Sequence, residues 1–129
     1  MLDNIANLHA KCFPDKPWSA SDFADLKKSG CEIIASDNGF IVWRVVADEA
    51  EIISIGVAPD ARRQGIAGAM ILLMEQELKK HSVHNVFLEV SEVNVPAKKL
   101  YEKYGFVPTG KRPKYYDGID AIIMTKDIS

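Results

Sequence analysis

The chain has 129 residues, 47% of them hydrophobic, which is enough to bury a real core in one domain and too short for two. A formal net charge of −2, from 16 basic and 18 acidic side chains, gives no electrostatic basis for binding nucleic acid and mildly favours basic partners. Cys12 and Cys31 follow no metal or redox spacing, no apolar run approaches a membrane span, and residues 1–10 carry no signal-peptide pattern. The expectation is therefore a single soluble, cytoplasmic domain over 1–129 with reduced thiols.

Taken in chain order, Ile5, Leu8 and Cys12 fall on one face of a first helix that Pro14 ends. The stiff stretch Phe13 to Ser19 follows, and Ser19 or Ser21 is placed to cap a second helix built on Phe23, Ala24 and Leu26 and closed by Gly30. Trp18 reads first as a packing anchor. Glu32 to Ser36, Gly39 to Ala47 and Glu51 to Val57 are β-branched runs separated by the turn signals Asp37-Asn38-Gly39 and Asp48-Glu49, which predicts an antiparallel meander. Pro59 stops the third strand.

Ala67, Met70, Ile71, Met74 and Leu78 then recur at helical spacing. The turn Arg62-Arg63-Gln64-Gly65-Ile66-Ala67-Gly68 sits at that helix's N-terminus, where unpaired backbone N–H groups and the positive end of the helix dipole favour an anion. Gly65, Ala67 and Gly68 are small enough to let a bulky anion such as a pyrophosphate approach, and Arg62 and Arg63 add charge. Spacing alone does not separate this from an ordinary strand-loop-helix with a basic turn. Asn85 to Val90 reads as a strand with Val86, Leu88 and Val90 on one side and Phe87 and Glu89 on the other. Asn94 and Pro96 open a helix that ends at Tyr104-Gly105, Phe106 to Thr109 and Ala121 to Lys126 are the last strands, and Arg112 to Gly118 reads as an exposed aromatic loop.

Two stretches carry a resemblance. Arg62 to Ala67 fits the Q/R-x-x-G-x-G/A signature of the GNAT superfamily of acyl-CoA-dependent N-acetyltransferases, and L-E-V-S-E-V-N-V-P-A-K-K-L-Y-E-K-Y-G-F, from Leu88 to Phe106, is similar to the ribosomal-protein-alanine N-acetyltransferases, the RimI type. The resemblance implies an α/β GNAT fold, a mixed and mostly antiparallel sheet with helices on both faces. It also implies that acetyl-CoA is the co-substrate, held by the amides of Arg62, Arg63, Gln64, Gly65, Ile66, Ala67 and Gly68, by the strand end Ile55, Gly56 and Val57, and near Asn94 and Tyr101. The family's usual first strand is missing before the first helix. Glu32 to Ser36 is then an uncovered sheet edge, open to a second copy in a homodimer.

The reaction so implied is attack of a neutral amine on a thioester, which needs a proton acceptor and a proton donor. By resemblance Glu89 is the base and Tyr101 the acid, while Trp18, Tyr115 and Tyr116 border the groove for an acceptor peptide. The sequence itself also allows Glu89 to be a strand residue paired with a lysine, Tyr101 a core tyrosine and Asn94 only a helix cap. No metal site is assigned, since His81 and His84 lack companions of clear geometry. The expected function is acetylation of a protein N-terminus, that of a ribosomal protein beginning with alanine, with no nucleic acid or membrane involved. A small-molecule amine acetyltransferase and a non-catalytic acyl-CoA-binding module are the alternatives, and retention of Glu89 and Tyr101 speaks against the second.

Overall fold

The structure, a computed structural model, describes residues 2–116 and 118–129, without the side chain of Tyr116. Helix α1 (Leu2–Cys12) buries Ile5 and Leu8, as their spacing predicts. Ser19 caps α2 (Ala20–Lys28) reciprocally: its Oγ accepts from the Asp22 N–H at 3.1 Å and the Asp22 carboxylate accepts from the Ser19 N–H at 2.8 Å. Such a cap contributes about 1 kcal/mol. Gly30, at φ +95°, turns the chain out of α2 into the sheet.

Strands β1 (Glu32–Ala35), β2 (Gly39–Val46) and β3 (Glu49–Val57) form the expected antiparallel meander. Helix α3 (Ile66–Lys79) carries the chain over the sheet to β4 (Asn85–Ser91), which pairs parallel to β3. Helix α4 (Val95–Lys103) leads to β5 (Val107–Tyr116), and β6 (Ile119–Asp127) turns back to lie between β4 and β5. The sheet order β1-β2-β3-β4-β6-β5 contains one parallel contact among antiparallel ones, which is the mixed sheet expected. One face is sealed by α3 and α4 around Met70, Ile71, Met74, Leu88, Phe106 and Met124, the other by α1 and α2 around Ile5, Leu8, Phe23, Phe40 and Val42. A buried ion pair, Lys126 Nζ on both oxygens of Glu75 at 2.9 and 3.0 Å, ties α3 to β6. Among the described residues α1 precedes any strand, and β1 is an outer strand of the sheet.

One expectation needs correcting. Residues 112–116, read as loop because of Pro113 and the aromatic pair, belong to β5. Proline is tolerated there because β5 is an edge strand with β6 on one side only, and the register with β6 slips between Arg112 and Tyr116. Lys114 sits in that slip at φ +54° with its N–H donated to Asp120 Oδ1 at 2.9 Å.

The feature that makes a site is where the sheet comes apart. β3 and β4 pair only through Glu49, Ala50 and Glu51 against Asn85, Val86 and Phe87, then diverge. At that level the β2–β3 register slips between Val42 and Trp43, and such a bulge bends and twists its strand. Beyond it, β3 runs on to Val57 and β4 to Ser91 with a gap between them.

Candidate active site

The gap is the mouth of a cleft of about 1070 Å³. Its walls are Ile53 to Val57 of β3, Glu89, Val90 and Ser91 of β4, the turn before α3, and Asn94, Pro96, Ala97, Leu100, Tyr101, Lys103 and Tyr104 of α4 and its cap. Of the residues expected at the site, Ile55, Gly56, Val57, Arg62, Arg63, Gly65, Ile66, Ala67, Gly68, Glu89, Asn94 and Tyr101 all line this one space. Gln64, Trp18 and Tyr115 do not, and the side chain of Tyr116 lies outside the described residues.

At one end, Gly65 starts α3 at φ +77° with no side-chain cap, and a Cβ built on it meets nothing within 4 Å. The N–H groups of Ile66, Ala67 and Gly68 therefore belong to an uncapped first turn aimed from the cleft wall, which suits a bulky anion. Arg63 adopts φ +66°, a left-handed conformation that costs a non-glycine residue about 1 kcal/mol or more and tends to be kept at functional turns. Arg62 does more than supply charge. Its Nε donates to the Val57 carbonyl at 3.2 Å, fastening the turn to the end of β3. Burial pushes the Cys12 thiol above its ordinary range, with Arg62 pulling the other way. Gly68 departs from expectation: it is buried, and the place of its missing side chain is filled by the hydroxyl and ring of Tyr104. Its smallness serves α3–α4 packing.

On the opposite wall, Glu89 projects from β4 with its side chain 12% exposed, and Oε1 receives the Arg112 guanidinium at 2.7 Å. The partner is an arginine from β5, where the sequence suggested a lysine. Tyr101 is buried with its ring edge-on to Phe106 at 5.8 Å between centroids. Asn94 is a true helix cap, its Oδ1 accepting from the Ala97 N–H at 3.2 Å, and its side-chain amide nitrogen is the donor that remains for the cleft. The cap reading holds, and Asn94 also lines the cleft.

Trp18 is a packing residue in this arrangement. Its ring stacks on His9 at 4.5 Å and 14°, and its backbone N–H donates to His9 Nδ1 at 3.0 Å. His9 also meets the rings of Phe13, Phe23 and Phe40, and Phe13, half exposed, carries this aromatic cluster to the cleft. Burial pushes the His9 imidazole below its usual value, opposed by the Asp22 carboxylate. Tyr115 is half exposed, with Arg112 over its ring at 4.6 Å. Phe13, Tyr104 and Arg112 were missed from the sequence; Tyr104 and Arg112 meet partners distant in the chain, Gly68 and Glu89, and no local pattern marks them. Among the described residues no group of three His, Cys, Asp or Glu side chains is gathered to hold a metal, and no helix is long and apolar enough to cross a membrane.

Residues 2–106 match the family model described as the acetyltransferase (GNAT) family. The chain belongs to that family. This GNAT chain is 38% identical over 122 residues to the [ribosomal protein bS18]-alanine N-acetyltransferase of Escherichia coli (strain K12), covering 88% of this chain and 82% of the relative. It superposes on the crystal structure of the ribosomal-protein-S18-alanine N-acetyltransferase from Escherichia coli with a TM-score of 0.86 and 34% identity, over 99% of this chain and 88% of that one. In fold it is also similar to a GNAT family acetyltransferase from Elizabethkingia anophelis with acetyl-CoA bound, at a TM-score of 0.76 and 20% identity, over 94% and 88% of the two chains.

Proposed function

We infer that this acetyltransferase uses acetyl-CoA to acetylate the N-terminal amine of a protein, that of a ribosomal protein beginning with alanine. The observation that carries the reading is the splayed cleft, which has an uncapped helix start at one end and a carboxylate and a phenol on its walls. The relatives named for alanine acetylation of a ribosomal protein support the choice of acceptor.

Acetyl-CoA, when bound, supplies the acetyl group as a thioester whose C–S bond breaks as a C–N bond to the amine forms. The α3 start, Ile66 to Gly68, offers N–H donors to its pyrophosphate, and the edge of β3 from Ile53 to Val57 that β4 leaves unpaired offers a rail for its extended arm. A peptide α-amine titrates at about 7.7–8.0, so near neutral pH most of it is ammonium: one proton goes to solvent to give the neutral nucleophile, and a second is lost as the C–N bond forms, directly or through a water, to a nearby carboxylate. Glu89 takes that proton. Tyr101, across the cleft on α4, gives a proton to the departing thiolate. The open side of the cleft, toward Tyr115 and the β5–β6 hairpin, receives the acceptor.

A competition experiment tests the acceptor. With acetyl-CoA present, an alanine-first peptide, spermidine and an amino sugar are offered together and each product is followed by its mass. Acetylation of the peptide alone supports the reading; turnover of the small amines with the peptide untouched overturns it.

A further inference from the structure

The β5–β6 hairpin places one residue where no local role requires it. In the antiparallel registers Arg112 lies opposite Ala121, Ala121 lies opposite Ser91, and Glu89 lies opposite Ile123. Residues opposite one another share a face of the sheet, as do residues two apart, so Arg112, Ala121, Ser91 and Glu89 all project from one side. Arg112 and Glu89 stand on strands separated by β6, about 10 Å apart at two strand spacings. An extended arginine and the glutamate reaching toward it span that distance together, and Ala121, fully buried and offering only a methyl, lies under their path. The guanidinium ends 2.7 Å from Glu89 Oε1 and lies over the Tyr115 ring at 4.6 Å from its centroid.

This contact is not needed to hold the hairpin. The β5–β6 ladder, the Lys114 N–H on Asp120 and the Lys111 ammonium near Glu92 and Asp120 already do so. Nor is a half-exposed arginine on a carboxylate a large source of stability. What the contact does is fix one oxygen of a nearly shielded carboxylate by a planar, forked donor, whose face in turn rests on an aromatic ring at the acceptor side of the cleft.

We propose that Arg112 is a positioning residue for the acetyl transfer, holding the Glu89 carboxylate in the orientation that accepts the amine proton and joining it to Tyr115 at the acceptor entrance. The proposal rests on the role given to Glu89 above. Arg112 touches neither reacting atom; it acts through Glu89. The α3 start that serves acetyl-CoA lies on the other wall, so binding of the co-substrate is independent of it.

The test is a double-mutant cycle on alanine-first peptide acetylation, with kcat and both KM values measured for wild type, R112Q, R112K, E89Q and E89Q/R112Q, and with thermal melting as a check on folding. Arg112→Gln is expected to lower kcat about 10-fold to 100-fold, the scale of a misplaced catalytic group, with the KM for acetyl-CoA unchanged. Arg112→Lys keeps the charge but loses the fork and the stacking, and restores only part of the rate. In the Glu89→Gln background, Arg112→Gln has no further effect on kcat. An equal loss from Arg112→Gln with and without Glu89, or a rise in acetyl-CoA KM of the same size, marks a structural role and overturns the proposal. Wild-type kcat in R112Q and R112K with a large loss in E89Q overturns the proposal alone, whereas wild-type kcat in E89Q overturns the assignment of the base together with it.

Discussion

Gly68 gives a perturbation whose sign runs against ordinary helix chemistry. Replacing a glycine inside a helix by alanine normally stabilises it by about 1 kcal/mol, through higher propensity and a less flexible unfolded chain. Gly68 lies in the first turn of α3 and has ordinary negative φ, so on propensity alone Gly68→Ala is favourable. Its new Cβ falls within the hydroxyl and ring carbons of Tyr104, at the cap of α4. Those atoms are the rigid end of a phenol and cannot yield without moving the whole ring. Overpacking of this kind costs about 1–3 kcal/mol, and after subtracting the propensity gain a net loss of up to about 2 kcal/mol remains. For a chain of this length that is a fall in Tm of up to about 7 °C. Tyr104 also lines the cleft, so its displacement raises the KM for acetyl-CoA. The cycle with Tyr104→Ala is the decisive comparison: once the ring is gone, Gly68→Ala becomes neutral or stabilising, and the sign reversal is read by melting of the four proteins. A Tm that rises on Gly68→Ala in the wild-type background refutes the reasoning.

Gly65 is the contrasting position, open in space but left-handed, so Gly65→Val strains the backbone by about 1–2 kcal/mol and distorts the N–H groups after it; calorimetry is expected to show weaker acetyl-CoA binding, and the wild-type affinity to fall with added salt. His9 sets an acid limit on stability. Its folded-state pKa lies below the unfolded value of about 6.5, so the unfolded chain binds the proton first, and the stability present above that pH is lost as pH falls toward the folded value. Denaturant melts from pH 8 to 5 should show this loss, and His9→Asn, whose Oδ1 can accept the Trp18 N–H in place of Nδ1, should flatten it.

What could be read from the sequence was local. The Ser19 cap, the Asn94 cap followed by Pro96, the αL glycines after α2 and α4, and the strand-turn-helix around Gly65 each lie within a few residues and show in the structure where they were expected. What could not be read depends on topology. β5 was cut short after Thr109 because Gly110 and Pro113 signal breaks, and only the finding that it is an edge strand explains their tolerance. Arg112 could not be matched to Glu89, because the strand that sets them on one face, β6, comes after both in the chain. Gly68 was assigned to anion approach because the glycine and the ring of Tyr104 are brought together only when α4 packs on α3.

The claim at the centre of this account is that Glu89 and Tyr101 carry the proton transfers in the cleft between β3 and β4. The direct measurement is kcat for an alanine-first peptide in wild type, Glu89→Gln and Tyr101→Phe, each shown by calorimetry to bind acetyl-CoA and by melting to be folded. The account predicts that Glu89→Gln lowers kcat by about 10²-fold to 10⁴-fold with acetyl-CoA affinity retained, that Tyr101→Phe lowers it as well, and that the double variant loses less than the product of the two. Near-wild-type kcat in both single variants, with folding and acetyl-CoA binding intact, would contradict it and leave positioning of the two reactants as the source of the rate.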